Sequence, residues 1–230
     1  MLTLPIRDVL PATPRARIAR LDLDGRAFDY APGQAVLLAS HGREKRRPYS
    51  IASAPEDARL HGWLELLVGV SADGMPGPHL TLEPGELVDV DGPVGSFTFP
   101  RAPEERGFVF IAGGTGIAPL RAMMQRALHL PHRNVGLFYS VRTPDEFAYE
   151  TELRALAQQG EIELRQTVTR ATDTDWTGPR GRLNRDALAE LVHDPETLCF
   201  ICGPPALVDE MPRILSDLGI PRQRIKIEEW

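Results

Sequence analysis

The run Ile111-Ala112-Gly113-Gly114-Thr115-Gly116-Ile117-Ala118-Pro119 follows a short apolar stretch that begins at Gly107. After it, Leu120, Met123, Met124, Ala127 and Leu128 recur at helical spacing. A strand, a glycine turn and a helix in that order suit an anion at the helix start. Free amides and the positive helix end favour it, and glycines let the backbone come close. Alone, the turn fits a dinucleotide phosphate or a tight connection with no ligand at all. Pro119 stands where the third glycine of G-x-G-x-x-G would be, although proline suits a first helical turn.

Downstream the same unit repeats. Residues 135–141 lead to a helix carrying Tyr149, Leu153 and Leu156, and residues 162–168 lead to a helix opening near Asn184. Residues 198–201 feed a last helix that Gly219 and Pro221 stop, and residues 224–230 close the sheet. Strands alternating with helices predict a parallel α/β sheet. Upstream, residues 15–99 read differently. Short strand-like runs at 18–23, 35–40, 49–52, 63–70 and 87–90 are punctuated by Pro32-Gly33, Asp73-Gly74, Pro84-Gly85 and Asp91-Gly92, which predicts an antiparallel β-barrel. The polar, proline-bearing residues 100–106 read as a linker, so the expected domains are 1–101 and 102–230.

Composition limits the function. The chain has 230 residues, 26 basic against 32 acidic, and a net charge of -6, which argues against nucleic-acid binding by phosphate neutralisation. No G-x-x-x-x-G-K-[ST] and no G-x-S-x-G occurs, which lowers nucleotide hydrolysis and serine esterase chemistry. The N-terminus has arginines but no continuous apolar core, so neither a signal peptide nor a membrane anchor is read, and a cytoplasmic location is the expectation. Two cysteines, Cys199 and Cys202, cannot build a four-cysteine cluster. They have C-x-x-C spacing, but on a strand residues three apart face opposite ways, so the thiols should diverge. Cys199 reads as core. Cys202, in Cys202-Gly203-Pro204-Pro205, ends a parallel strand, where open α/β sheets place their ligands. The six histidines form no metal cluster, and none is assigned a metal.

In the barrel half, Arg47-Pro48-Tyr49-Ser50 offers a cation, an aromatic ring and a hydroxyl. Alternation along a strand places Arg47 and Tyr49 on one side and Ser50 on the other. Alone this reads as a solvated basic edge; beside the glycine turn and Cys202 it reads as a site.

The set resembles the ferredoxin-NADP reductase superfamily. It carries R-x-Y-S at Arg47 to Ser50, a G-P-x-G-x-F turn at Gly92 to Phe97, G-G-T-G-I-A-P at Gly113 to Pro119 and C-G-P-P at Cys202 to Pro205. The resemblance implies a flavin-binding barrel joined to a nicotinamide-nucleotide domain. Arg47 would pair with flavin phosphate, Pro48 would hold it extended, Tyr49 would stack on the isoalloxazine and Ser50 would lie near its N5. The family's G-x-x-S segment, which opens a helix onto the flavin pyrophosphate, stands here as Gly74-Met75-Pro76-Gly77, with glycine for serine. Gly113, Gly114, Thr115 and Gly116 would hold the nicotinamide nucleotide, and Cys202, Gly203 and Pro204 would lie beside the nicotinamide. Arg170, with Arg142 and Arg180 as helpers, would meet a 2′-phosphate, a lean to NADP with NAD still open. Glu228 and Trp230 match the family's glutamate and terminal aromatic: Glu228 near Cys202 and Ser50, Trp230 covering the flavin or merely ending an edge strand.

The implied function is that of an FAD enzyme taking electrons from NAD(P)H to a separate one-electron carrier such as ferredoxin or flavodoxin. Two alternatives stay open: reduction of free flavin, and an electron-transfer subunit of a larger oxidoreductase or oxygenase complex. Ser50, Cys202 and Glu228 are the expected catalytic residues.

Overall fold

The structure is a computed structural model that describes residues 1–170 and 176–229. Six strands make the first sheet: β1 (Leu2–Thr13), β2 (Ala16–Asp22), β3 (Ala35–Ser40), β4 (Arg47–Ser50), β5 (Trp63–Gly69) and β6 (Leu87–Val94). They run antiparallel in the order β4-β3-β6-β1-β2-β5. A bridge between Ile51 and Leu66, with Ala52 N–H donating to the Glu65 carbonyl at 2.8 Å, brings the two edges together and curls the sheet into a barrel. Inward residues such as Leu4, Ile6, Leu38, Leu66 and Val88 fill its interior.

Strand β1 and the short helix α1 (Pro55–His61) lie outside the sequence expectations. The turn expected at Asp91-Gly92 lies within β6, where the register against β3 shifts between Ala35 and Leu37. Phe99, beyond β6, packs on Phe108 and Phe200 at 5.1 and 5.5 Å between centroids. The linker thus starts with an aromatic anchor shared by both halves.

The second half is a parallel sheet of β7 (Gly107–Gly113), β8 (Asn134–Val141), β9 (Glu163–Val168), β10 (Leu198–Gly203) and β11 (Ile225–Glu229), ordered β11-β10-β7-β8-β9. Every residue of β7 is buried, as expected of a central strand covered on both faces. One face carries α2 (Ile117–Leu128) and α3 (Glu150–Gln158), the other α4 (Arg185–Ala189) and α5 (Pro205–Asp217). The chain leaves β7 toward β8 and β9, then returns to its other side as β10 and β11. The order therefore reverses between β7 and β10, and a crevice opens beyond their carboxyl ends.

Helix α2 joins the halves. Arg121, 9% exposed, donates to the Ala52 carbonyl at 2.6 Å and to Glu65 at 3.0 Å in the barrel, while its other nitrogens clasp Glu152 of α3 at 2.8 to 3.0 Å. Its guanidinium also lies 4.3 Å from the Tyr149 ring centroid. Along the same helix, Gln125 accepts from Ala54 N–H and Arg126 pairs with Glu56 at 2.8 Å.

Candidate active site

A cleft of about 310 Å³ lies where the barrel meets the carboxyl ends of β7, β10 and β11. Its barrel wall is Arg47, Pro48, Tyr49, Ser50, Leu67, Gly69 and Pro76. Its other wall is Thr115, Gly116, Ala118, Pro119, Cys202 and Glu228. Residues from both halves of the chain thus line one space.

Arg47 to Ser50 all line this cleft. The reason is the strand's position. β4 is an edge strand with β3 alone as ladder partner, it ends at Ser50, and Ile51 turns across to Leu66. The cleft runs along this open edge. Arg47 is exposed and makes no ion pair among the described residues, leaving its guanidinium available to an anion. Burial raises the Tyr49 phenol, with Arg47 opposing, so the ring stays a neutral aromatic surface. Its hydroxyl lies 2.8 Å from His79 Nε2.

The segment 74–77 opens no helix. Gly77 sits at φ +110 between Pro76 and Pro78, a backbone that cannot continue as a helical turn. The helix that the resemblance implies at this place is therefore absent among the described residues 71–86, and Met75 is exposed. A Cβ built on Gly77 would lie 3.4 Å from His79 Nδ1 and 4.0 Å from an Arg47 nitrogen, so both side chains converge here. His79 Nδ1 is buried with no partner.

On the opposite wall, Gly113 and Gly203 end neighbouring strands. A Cβ on Gly113 would come within 2.7 Å of Pro204 Cδ, and one on Gly203 within 3.1 Å of Gly113 Cα. These glycines are thus needed for the chain's own close packing whether or not a ligand follows. Gly114 to Gly116 form one turn of 3-10 helix leading into α2. The buried Tyr139 of β8 donates from its hydroxyl to the Gly114 carbonyl at 3.1 Å and accepts from Ala148 N–H, which steadies the turn from below.

Cys202 and Glu228 are register partners on β10 and β11, with the thiol 3.9 Å from the carboxylate. Burial, then the Glu228 charge, pushes the thiol well above its ordinary value. Cys202 is accordingly a neutral S–H donor and no thiolate. Burial also raises the Glu228 carboxyl. Cys199 packs in the core on the other face of β10, pushed up to about 12 by burial, so the two thiols do diverge.

Arg142 and Arg170 do not line the cleft. They are exposed beyond β8 and β9, joined by Arg170 N–H donating to the Arg142 carbonyl at 2.7 Å. Trp230 lies outside the described residues. Sequence reasoning missed His79, Tyr139, Leu67 and Gly69. Only Gly69 left a signal, a glycine at the end of an apolar strand where another group can come close. The described residues hold no group of three or more metal-ligating side chains.

Two family patterns match the chain, one in each half. "Oxidoreductase FAD-binding domain" matches residues 6–99, and "Oxidoreductase NAD-binding domain" matches residues 110–212. Ferredoxin--NADP reductase B of Sorangium cellulosum is 33% identical over 238 residues, spanning 96% of this chain and 94% of that protein. The chain belongs to the ferredoxin-NADP reductase superfamily. Ferredoxin--NAD(P)(+) reductase CarAd of Metapseudomonas resinovorans is 30% identical, spanning 92% of this chain and 63% of that protein. The structure of Amycolatopsis cytochrome P450 reductase GcoB superposes with a TM-score of 0.83 at 27% identity, over 99% of this chain and 69% of that one. As a member of the superfamily the protein is an NAD(P)H-dependent flavin oxidoreductase, with FAD and a nicotinamide nucleotide as cofactors. The donors present suit both: an unpaired guanidinium on one wall with an orphaned imidazole nitrogen behind it, and a glycine turn on the other.

Proposed function

We propose that the protein draws electrons from NADPH, and less readily NADH, and passes them to a separate one-electron carrier protein of the ferredoxin or flavodoxin kind. FAD, when bound, accepts a hydride from the nicotinamide and can release electrons singly. The protein's own residues set the geometry. Arg47 holds a flavin phosphate, and Tyr49 offers its ring to the isoalloxazine. Thr115 and Gly116 floor the nucleotide side, Ser50 presents a hydroxyl from the barrel wall, and the neutral Cys202 thiol faces it, oriented by Glu228.

The observation that carries this reading is the shared cleft, in which Tyr49 and Ser50 on one wall face Cys202 and Glu228 on the other. Two rings pressed together there would have their reacting atoms aligned and shielded from water. The chain's two cysteines cannot hold a cluster, and a relative spanning almost all of this chain is named for ferredoxin. Both support an acceptor on another protein.

The test is purification followed by stopped-flow reduction with NADPH and with NADH, then addition of oxidised ferredoxin. Tightly held FAD, faster reduction by NADPH and rapid ferredoxin reduction are expected. Flavin that exchanges freely and is itself the best acceptor would replace this reading with that of a flavin reductase.

A further inference from the structure

Behind Tyr49 and Arg47 on the barrel wall stands His79, a residue that no motif in the sequence marks. It is 4% exposed, and its backbone is fixed: Ser40 N–H at the end of β3 donates to the His79 carbonyl at 3.0 Å, and Thr81 N–H donates to Ser40 Oγ at 2.8 Å. The imidazole lies nearly parallel to the Tyr49 ring, 12° apart in plane and 6.0 Å between centroids. One nitrogen, Nε2, meets the Tyr49 hydroxyl; the other, Nδ1, is buried and unpartnered, beside the spot where Gly77 lacks a side chain. Burial first, then Arg47 and Lys45, lower the basicity of this ring, so it is neutral and carries a single N–H.

An orphaned buried nitrogen requires a partner. The place it faces is shared with the Arg47 guanidinium, and both the serine hydroxyl and the helix N-terminus of the family's pattern are missing there. We propose that His79 replaces those two missing donors. Tyr49 O–H donates to Nε2, which fixes the proton on Nδ1, and Nδ1–H donates to a flavin phosphate oxygen beside Arg47. One residue then reports on the phosphate and holds the stacking tyrosine. The inference rests on the flavin reading above and adds to it the residue that discriminates phosphorylated flavin.

The test is equilibrium titration of the flavin-free full chain with riboflavin, FMN and FAD, followed by flavin fluorescence. His79→Phe should lose about tenfold or more of the preference for FMN over riboflavin, the range of a hydrogen bond to a charged group. His79→Asn, whose amide N–H stands near the Nδ1 position, should retain most of that preference. An unchanged preference in His79→Phe, or equal weakening of all three flavins, overturns the proposal and leaves a packing residue. A second measurement does not depend on the variant's folding: nitrogen-15 spectra of the wild-type chain with FMN should show His79 protonated at Nδ1, and protonation at Nε2 overturns it. Should the wild-type chain bind none of the three flavins, the flavin reading itself falls. Binding with an unaltered preference removes His79 alone.

Discussion

Ser50 and Cys202 come from opposite halves of the chain and meet across a single cleft. The Ser50 hydroxyl has no hydrogen-bond partner among the described residues, and the Cys202 thiol is kept protonated by burial and by the Glu228 carboxylate. We propose that both assist the chemistry, although Cys202 also packs in the core. Ser50→Ala and Cys202→Ala should keep their flavin but reduce it more slowly, on the order of 10²-fold if the rings shift by about 1 Å. Flavin stoichiometry and stopped-flow reduction check this, and wild-type rates in both variants would remove the assigned roles. Arg170 is the second residue-scale case. It and Arg142 end adjacent strands, linked by one backbone hydrogen bond, and neither side chain pairs among the described residues. Thr169 Oγ1 is turned to the Val141 carbonyl at 3.2 Å, and of the two neighbours we propose Arg170 as the group that meets a 2′-phosphate. Arg170→Ala should weaken NADPH about tenfold or more while sparing NADH, and equal loss of both would sink the argument. Cys202 and the glycine turn were legible because each stands where an apolar strand run breaks off into glycine and proline. His79 was not, since nothing in a sequence says that a histidine thirty positions from a tyrosine shares its pocket.

Among the elements, the parallel half was readable almost strand by strand, because buried central strands are continuous apolar runs flanked by glycine and proline. Strand β1 was not. Its Pro5 and Pro11 and the charged Arg7 and Asp8 break the alternation, and its place between β2 and β6 is decided by partners far along the chain. Those partners include Asp89 of β6, which accepts from Thr3 Oγ1 at 2.8 Å and from Gly42 N–H, and pairs with His41 at 2.8 Å. The His41 hydrogen bond, opposed by burial and aided by Thr3 and Gly42, holds the Asp89 carboxyl at about 2. Its folded value lies below the unfolded value of about 4. The stability it adds is therefore complete above pH about 4 and is lost as pH falls toward 2. Acid unfolding of Asp89→Asn should show a shallower dependence over that window, and an identical acid limb would contradict the assignment. Helix α2 gives the second expectation at this scale. Arg121→Met takes from Glu152 its paired cation and leaves Glu65 with Arg20, 2.9 Å away, and should destabilise the protein by about 1–3 kcal/mol in urea unfolding. A loss under about 1 kcal/mol would mean the carboxylates find water or protonate at little cost.

At the scale of the molecule, the two sheets were implied by a change of periodicity near residue 100, whereas the strand order and its reversal between β7 and β10 are set by the structure. What the sequence did not show is how the halves are fastened. Arg121, Gln125 and Arg126 rise from the helix that starts at the glycine turn, and each reaches a different point on the barrel: Ala52 and Glu65, Ala54, Glu56. Cofactor halves of this kind look like exchangeable cassettes, yet here the cassette boundary is not the linker. A hybrid that grafts a foreign nucleotide half after residue 101 would leave Glu65 with Arg20 alone and strip the Ala52 carbonyl, the Ala54 N–H and Glu56 of the partners α2 supplies, and would inherit unmet polar groups in its seam. Only grafts that transfer the helix together with its receiving carboxylates should fold with both cofactors in register. The heredity of this architecture is therefore one of co-inherited pairs across a seam, and recombination is confined to crossovers that respect them.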